Sequence, residues 1–381
     1  MHQFSFPHRL ELVVLQPTSY CNLNCGYCYL PDRQIAQQMS LNVLDNAFRK
    51  VLGSPLTDSH LILLWHAGEP LVAGLPFYQE AVSLTDRYKS DAMRVEHSVQ
   101  TNATLLTDEW CKFFRREGFH IGVSLDGPQF LHDKQRRNWA GRGSFQQVMA
   151  GVKKLLDHGI EFGVLAVLTA DSLSYADEIY DFFKTIGSVS VGFNVEEIEN
   201  VHVSSTFSSI SSFATMRAAY YRFFARIMER VQTDPEPLKI REIEQKLKAV
   251  VRIRKDPAYI YEPLEATPFR MITILHNGDV TPFSPEFASA KSGLYHNFKI
   301  GNICNQSLEE IAHTLDTSLL KAHAQASRDS CQRQCKYFQI CGGTYFSNKW
   351  SENGDLLAHE TQACRLHSQA VIDAFLDHIG A

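Results

Sequence analysis

Two hydrophobic periods alternate through the first half of the chain. Short apolar or alternating runs at Leu10–Leu15, Leu61–Trp65, Val95–Gln100, His120–Leu125, Phe162–Leu168 and Val189–Asn194 predict six β-strands. Between them, apolar residues recur at helical spacing. Ser40 caps a helix that carries Leu44, Phe48 and Val51 on one face. Further helices are predicted over Phe77–Tyr88, from the Thr107 cap to Arg116, over Ser144–Asp157 before Gly159, and over Leu173–Thr185 before Gly187. This order predicts an α/β fold with a parallel sheet and helical crossovers. A doubly wound sheet and a curved, partial (β/α)6 barrel both satisfy it. The barrel is preferred, because the candidate chemistry falls just beyond the ends of several strands.

The second half is organised differently. Phe213, Met216, Tyr220, Phe224 and Ile227 fall on one helical face, and two helices packed on the barrel are expected between Thr206 and Val251. Asp234-Pro235-Glu236-Pro237 marks a break. Met271–Leu275 and Val280–Phe283 flank Asn277-Gly278, a strong hairpin signal. The expected division is a barrel with a trailing helix over 1–232, a helical bridge over 233–266 and a smaller α+β domain over 267–381.

Composition narrows the classes. A net charge of −5 argues against a broad nucleic-acid footprint. No apolar run approaches the length of a membrane span, and Met1-His2-Gln3-Phe4-Ser5 does not open a secretion signal. Nine cysteines in a chain of this kind read as metal ligands in a cytoplasmic protein rather than as disulfides.

The densest candidate chemistry is Cys21-Asn22-Leu23-Asn24-Cys25-Gly26-Tyr27-Cys28, just after the first strand. A structural zinc site or a saturated four-iron cluster takes four protein ligands, so three thiolates leave one metal corner open. A zinc completed by a distant Cys or His is the bland alternative. The motif resembles the cluster loop of the radical S-adenosylmethionine (radical SAM) superfamily. That resemblance implies that Cys21, Cys25 and Cys28 hold a [4Fe–4S] cluster whose open iron binds SAM, with Tyr27 beside the adenine. It implies reductive cleavage of SAM to a 5′-deoxyadenosyl radical, fed by an external electron donor such as flavodoxin or ferredoxin.

Other residues follow the strand ends. His66-Ala67-Gly68-Glu69-Pro70 resembles the family's Gly-Gly-Glu-Pro motif, with Ala67 replacing the first glycine. His66, Gly68 and Glu69 are thereby assigned to the SAM ammonium, which needs carbonyl or carboxylate acceptors. Taken alone, the segment also reads as a tight turn opening a helix. Gln100 and Asn102 resemble pocket-lining positions of the family, and Val195 resembles an adenosine contact. Ser124 and Arg136 match positions that meet the methionine carboxylate, which an Arg fork suits. Asp126, His132 and Asp133 are read as loop braces.

Cys331, Cys335, Cys341 and Cys364 form a second group, spaced C-x3-C-x5-C-x22-C. Four thiolates saturate a [4Fe–4S] cluster or hold a zinc, and spacing does not separate these. With the hairpin, Gly301-Asn302-Ile303 and Gly342-Gly343, the group resembles the SPASM extension of radical SAM peptide maturases, which implies an auxiliary cluster. Ser284 stands where a further cysteine ligand is often found, so two [4Fe–4S] clusters are expected in all. Cys111 and Cys304 are assigned as buried free thiols.

Trp65-His66-Ala67-Gly68-Glu69-Pro70, Ser284-Pro285-Glu286, Cys341-Gly342-Gly343, Asn348-Lys349 and Glu360-Thr361 resemble the branch of glycine-rich-repeat maturases and cyclophane-forming enzymes. That branch implies a ribosomal precursor peptide as substrate and a carbon–carbon crosslink between an aromatic ring and a side-chain β-carbon. Glu286, Glu196 and Glu197 are the candidate bases. The alternatives are sulfatase maturation to formylglycine, thioether formation, and a zinc-stabilised peptide-binding scaffold with no catalytic activity.

Overall fold

A computed structural model describes residues 6, 8–343 and 345–380. The pentapeptide from Met1 to Ser5, read above as lacking a secretion signal, lies outside the described residues. The barrel half contains β1 (Leu10–Leu15), α1 (Leu41–Leu52), β2 (Thr57–Trp65), α2 (Leu75–Tyr88), β3 (Arg94–Thr101), α3 (Asp108–Glu117) and β4 (His120–Ser124). It continues with α4 (Gln129–Gln135), α5 (Phe145–Asp157), β5 (Phe162–Leu168), α6 (Ala176–Thr185) and β6 (Ser190–Val195). Strands β1 to β6 pair in sequence order and parallel. The six predicted strands are all present.

Local chemistry accounts for the helices. Ser40 accepts from the Val43 amide at the start of α1, whose Leu44, Ala47, Phe48 and Val51 face inward. Thr107 caps α3 in the same way, and Gly118 ends it in the left-handed region. Ser144 precedes α5 but makes no cap bond. Its hydroxyl instead bonds the Arg136 carbonyl at 2.9 Å. Helix α4 has no counterpart in the sequence reading. Only Leu131 and His132 of its seven residues are buried, which is too short a stripe to show a period.

The rest of the chain adds α7 (Phe213–Thr233), a two-residue β7 (Lys239–Ile240), α8 (Arg241–Lys255), and the antiparallel hairpin β8 (Met271–Ile274) and β9 (Asp279–Pro282). Then come β10 (Gly301–Asn302), α9 (Leu308–Asp316), α10 (Leu319–Gln334), α11 (Phe338–Cys341) and α12 (Phe346–Asn353). A π-helical stretch, Cys364–Ala370, runs into α13 (Val371–Ile379). The hairpin does not form a sheet of its own. β8 lies parallel to β1, which gives one ten-stranded sheet ordered β10-β9-β8-β1-β2-β3-β4-β5-β6-β7. Residues from β2 to β6, with β7 and α8, line a common pocket of about 670 Å³, so the sheet curls into a barrel, and β7 and β10 remain its free edges. Among the described residues no helix is long and apolar enough to cross a membrane.

Candidate active site

One cleft at the C-terminal ends of the strands collects every candidate cluster, SAM-binding and base residue of the barrel half. Its floor is the three-cysteine loop, with Cys21, Cys25, Tyr27 and Cys28. His66, Gly68 and Glu69 enter after β2, Gln100 and Asn102 from the end of β3, and Ser124 from the end of β4. Arg136 follows α4, and Val195, Glu196 and Glu197 follow β6. Glu286 reaches the same cleft from the segment after β9.

The cysteine loop is held from outside. The Gly26 amide bonds the Gln135 carbonyl at 2.9 Å, and Trp139 Nε1 donates to the Cys21 carbonyl at 2.9 Å. Asn102 Nδ2 approaches Cys21 Sγ at 3.9 Å and bonds Asn22 Oδ1 at 2.8 Å. Burial pushes the Cys25 thiol up to about 12, and burial together with Glu69 raises Cys21 further. Thiols raised like Cys21 and Cys25 ionise only against strong positive charge, which an iron–sulfur cluster supplies. Among the described residues no three His, Cys, Asp or Glu side chains converge on a single metal ion. The loop presents its three cysteines to the cleft, a donor set that fits the cluster.

Beside it, the acceptors for an ammonium are built in. Glu69 is 1% exposed and accepts from Thr101 Oγ1 at 2.6 Å, the Asn102 amide at 2.8 Å and the Leu71 amide at 3.1 Å. Burial lifts its pKa to about 7. Gly68 has φ 96°, and a Cβ there would lie 2.4 Å from the Thr18 carbonyl oxygen, so only glycine fits. Ala67 takes φ 67°, a left-handed conformation that explains why the related motif has glycine at this place.

Arg136 is 8% exposed, lies 5.4 Å above the Tyr27 ring and pairs through Nη2 with Asp126 Oδ1 at 3.1 Å. Tyr27 donates to Asp126 Oδ2 at 2.6 Å, and the Val167 amide bonds Asp126 Oδ1 at 3.0 Å. Asp126 therefore braces both groups, as expected. Nε of Arg136 is buried with no hydrogen-bond partner, a donor left available for an anionic group. Gln100 Nε2 donates to Ser124 Oγ at 2.9 Å.

The opposite wall is acidic. Glu197 and Glu199 are held well above the ordinary carboxylate range and Glu286 is raised, chiefly by burial, with mutual repulsion adding to Glu197 and Glu199. The Tyr29 hydroxyl sits beside them, buried and without a hydrogen-bond partner. Glu196 is placed differently. It accepts from Ser205 Oγ at 3.0 Å and the Thr206 amide at 2.8 Å, bonds the Thr206 hydroxyl, and meets His202 at 3.3 Å. Burial opposes its ionisation, but the bonds from His202 and Thr206 outweigh that and hold it low. Glu199 and Tyr29 were not singled out in the sequence. Tyr29 adjoins the cysteine motif and Glu199 lies two residues beyond Glu197, so adjacency was the only available signal.

The C-terminal cysteines lie within electrostatic reach of one another. Cys331 is on α10, Cys335 ends it, Cys341 closes α11 and Cys364 opens the π-helical stretch. Burial, then the three other cysteines, raises the Cys364 thiol. Gly342 has φ 72°, and a Cβ there would strike the Tyr261 carbonyl oxygen at 1.9 Å. Cys111 is buried in the core and Cys304 half-buried, both outside these two groups.

Comparison with known proteins agrees with this geometry. Residues 15–200 match the family model of the radical SAM superfamily. An uncharacterized protein of Synechocystis sp. is 37% identical over 96% of this chain and 91% of its own. A serine-type anaerobic sulfatase-maturating enzyme of Bacteroides thetaiotaomicron is 28% identical over 92% of this chain and 86% of its own. Among solved structures, anSMEcpe with bound AdoMet superposes with a TM-score of 0.77 at 21% identity, covering 97% of this chain and 93% of that one. Streptococcus suis SuiB bound to S-adenosylmethionine gives 0.66 at 15% identity, over 95% and 79%.

These relatives correct the expected cyclophane-forming branch, because the named sequence relative matched over most of the chain is a sulfatase-maturating enzyme. The residues that suggested that branch have structural work instead. Trp65 is 0% exposed and bonds His97 Nδ1 at 3.2 Å, and Gly342 is fixed by its turn against Tyr261. Such positions record packing and say nothing about the bond formed. The chain belongs to the radical SAM superfamily and is an AdoMet-dependent oxidoreductase with a SPASM-like C-terminal region.

Proposed function

We propose that the protein oxidises a seryl or cysteinyl side chain in a polypeptide substrate to an aldehyde, a reading supported by its likeness to serine-type and cysteine-type anaerobic sulfatase-maturating enzymes. The observation that carries this reading is the placement of Glu197, Glu199 and Glu286 in the same cleft as the three-cysteine loop. Cys21, Cys25 and Cys28 would hold a [4Fe–4S] cluster, which with SAM would supply the radical chemistry that takes one hydrogen atom from the substrate β-carbon. Glu69 and the Gly68 backbone receive the SAM ammonium, Arg136 and Ser124 its carboxylate, and Tyr27, His66, Gln100, Asn102 and Val195 complete the pocket. A carboxylate of the acidic wall takes the proton of the substrate hydroxyl or thiol, and its raised pKa suits it to that task near neutral pH. Cys331, Cys335, Cys341 and Cys364 would hold an auxiliary cluster able to take up the remaining electron, and an external one-electron donor would supply the reducing equivalent for SAM cleavage.

For serine the reaction balances as loss of one hydrogen atom, one proton and one electron from the substrate; for cysteine the same loss gives a thioaldehyde, which water hydrolyses to the aldehyde with release of hydrogen sulfide. Anaerobically reconstituted protein is incubated with SAM, a strong reductant and peptides spanning the modified serine or cysteine of an anaerobic sulfatase. The serine peptide is expected to lose two hydrogens and to be captured by a hydrazide probe. A peptide that is changed without hydrazide capture contradicts the aldehyde, as does recovery of only unmodified peptide alongside SAM cleavage.

A further inference from the structure

Two lysines are buried beside the C-terminal cysteines. Lys349, on α12, is 1% exposed. Its Nζ donates to Ser327 Oγ at 2.6 Å and to Cys331 Sγ at 3.4 Å. Lys246, on α8, is 8% exposed and lies near Cys341. Neither forms an ion pair with a carboxylate among the described residues. A buried ammonium without counter-charge is strongly disfavoured. Four thiolates around a [4Fe–4S] core carry net negative charge, and this is the counter-charge Lys349 lacks.

Helix α12 makes the placement specific. The two residues before Lys349 back the acidic wall: the Ser347 hydroxyl and Asn348 Nδ2 both donate to Glu199. One turn of helix therefore bonds the acidic wall on one side and a cluster cysteine on the other.

We propose that Lys349 is a positioning residue for the auxiliary cluster, its ammonium on Cys331 Sγ raising the cluster's reduction potential so that it accepts the electron leaving the substrate. Hydrogen bonds to the sulfurs and local charge are the protein's means of setting such potentials. In the balanced step the carbon radical gives up one electron, the cluster is reduced by one, and the hydroxyl or thiol proton passes to a carboxylate. The inference rests on the auxiliary-cluster reading above.

The test is a potentiometric titration followed by electron paramagnetic resonance. It uses the full chain with Cys21, Cys25 and Cys28 changed to Ala, so that the auxiliary cluster alone contributes. Iron is counted first. Roughly four irons per chain in this background supports the cluster, and none overturns both readings together. With the cluster present, Lys349→Gln is expected to move the midpoint to more negative potential, while Lys349→Arg stays close to the parent. An unchanged midpoint in Lys349→Gln overturns the role of Lys349 and leaves the cluster assignment standing. If Lys349→Gln loses its iron, Lys349→Arg is expected to restore it. Loss in both variants overturns the proposal, since the site would then depend on the shape of the lysine rather than its charge.

Discussion

Asn348 donates from Nδ2 to Glu199 Oε1 at 3.0 Å, joining a helix of the C-terminal region to the wall of the barrel cleft. The two residues are 149 positions apart, and neither half of the chain builds the acidic wall alone. Asn348→Ala removes one of the bonds that stabilise the Glu199 carboxylate. A lost bond to a charged group costs about 1.5 kcal/mol, so aldehyde formed per 5′-deoxyadenosine is expected to fall about tenfold. Parallel chromatography of both products checks this.

The proton acceptor is found among three carboxylates. Glu197→Gln, Glu199→Gln and Glu286→Gln are expected to retain SAM cleavage, and one of them to lower aldehyde yield by about a hundredfold or more. Glu196→Gln is expected to act on stability instead, by about 1–3 kcal/mol, because four groups already bond that side chain. Denaturant titration alongside the product assay separates the two outcomes.

The turn after β2 gives opposite expectations at neighbouring positions. Gly68→Ala drives a Cβ to 2.4 Å from the Thr18 carbonyl oxygen and is expected to abolish SAM binding, measured by equilibrium dialysis of the reconstituted protein. Ala67→Gly relieves the left-handed strain at φ 67°, worth about 1–2 kcal/mol, against a backbone-entropy cost of about 0.5–1 kcal/mol. A small gain in thermal stability is expected.

His97 makes stability depend on acid. Its Nδ1 accepts from Trp65 Nε1 at 3.2 Å and its Nε2 bonds Thr85 Oγ1 at 2.9 Å, so the buried ring is neutral. Burial lowers its pKa from 6.5 to about 4. Between those values the unfolded chain binds a proton that the folded ring refuses. The contribution is fully present above pH 6.5 and is lost as the pH falls toward 4. From pH 7 to pH 5 the loss from this ring is about 2 kcal/mol. His97→Gln, which does not titrate, is expected to lose about that much less over the same interval in urea titrations.

The strands, the hairpin and both cysteine groups were legible because each carries a local signal: a period, an Asn-Gly turn, a fixed spacing. The residues of the cleft were legible where they follow strand ends. The continuity of the sheet was not, since nothing in Met271–Ile274 names β1 as its neighbour across more than 250 residues. Helix α4 escaped because its buried stripe is two residues. Glu199 and Lys349 gain their meaning from contacts distant in sequence, which periodicity does not encode. The crosslinking branch was misread because Trp65 and Gly342 answer to packing rather than to substrate.

Hydrogen abstraction at the β-carbon of the substrate residue underlies the whole account. It is measured with a peptide deuterated only at that carbon, by mass spectrometry of the 5′-deoxyadenosine released. Deuterium in the nucleoside, in proportion to aldehyde formed, is the result expected. Aldehyde accompanied by unlabelled 5′-deoxyadenosine, or label appearing only from an α-deuterated peptide, would contradict it.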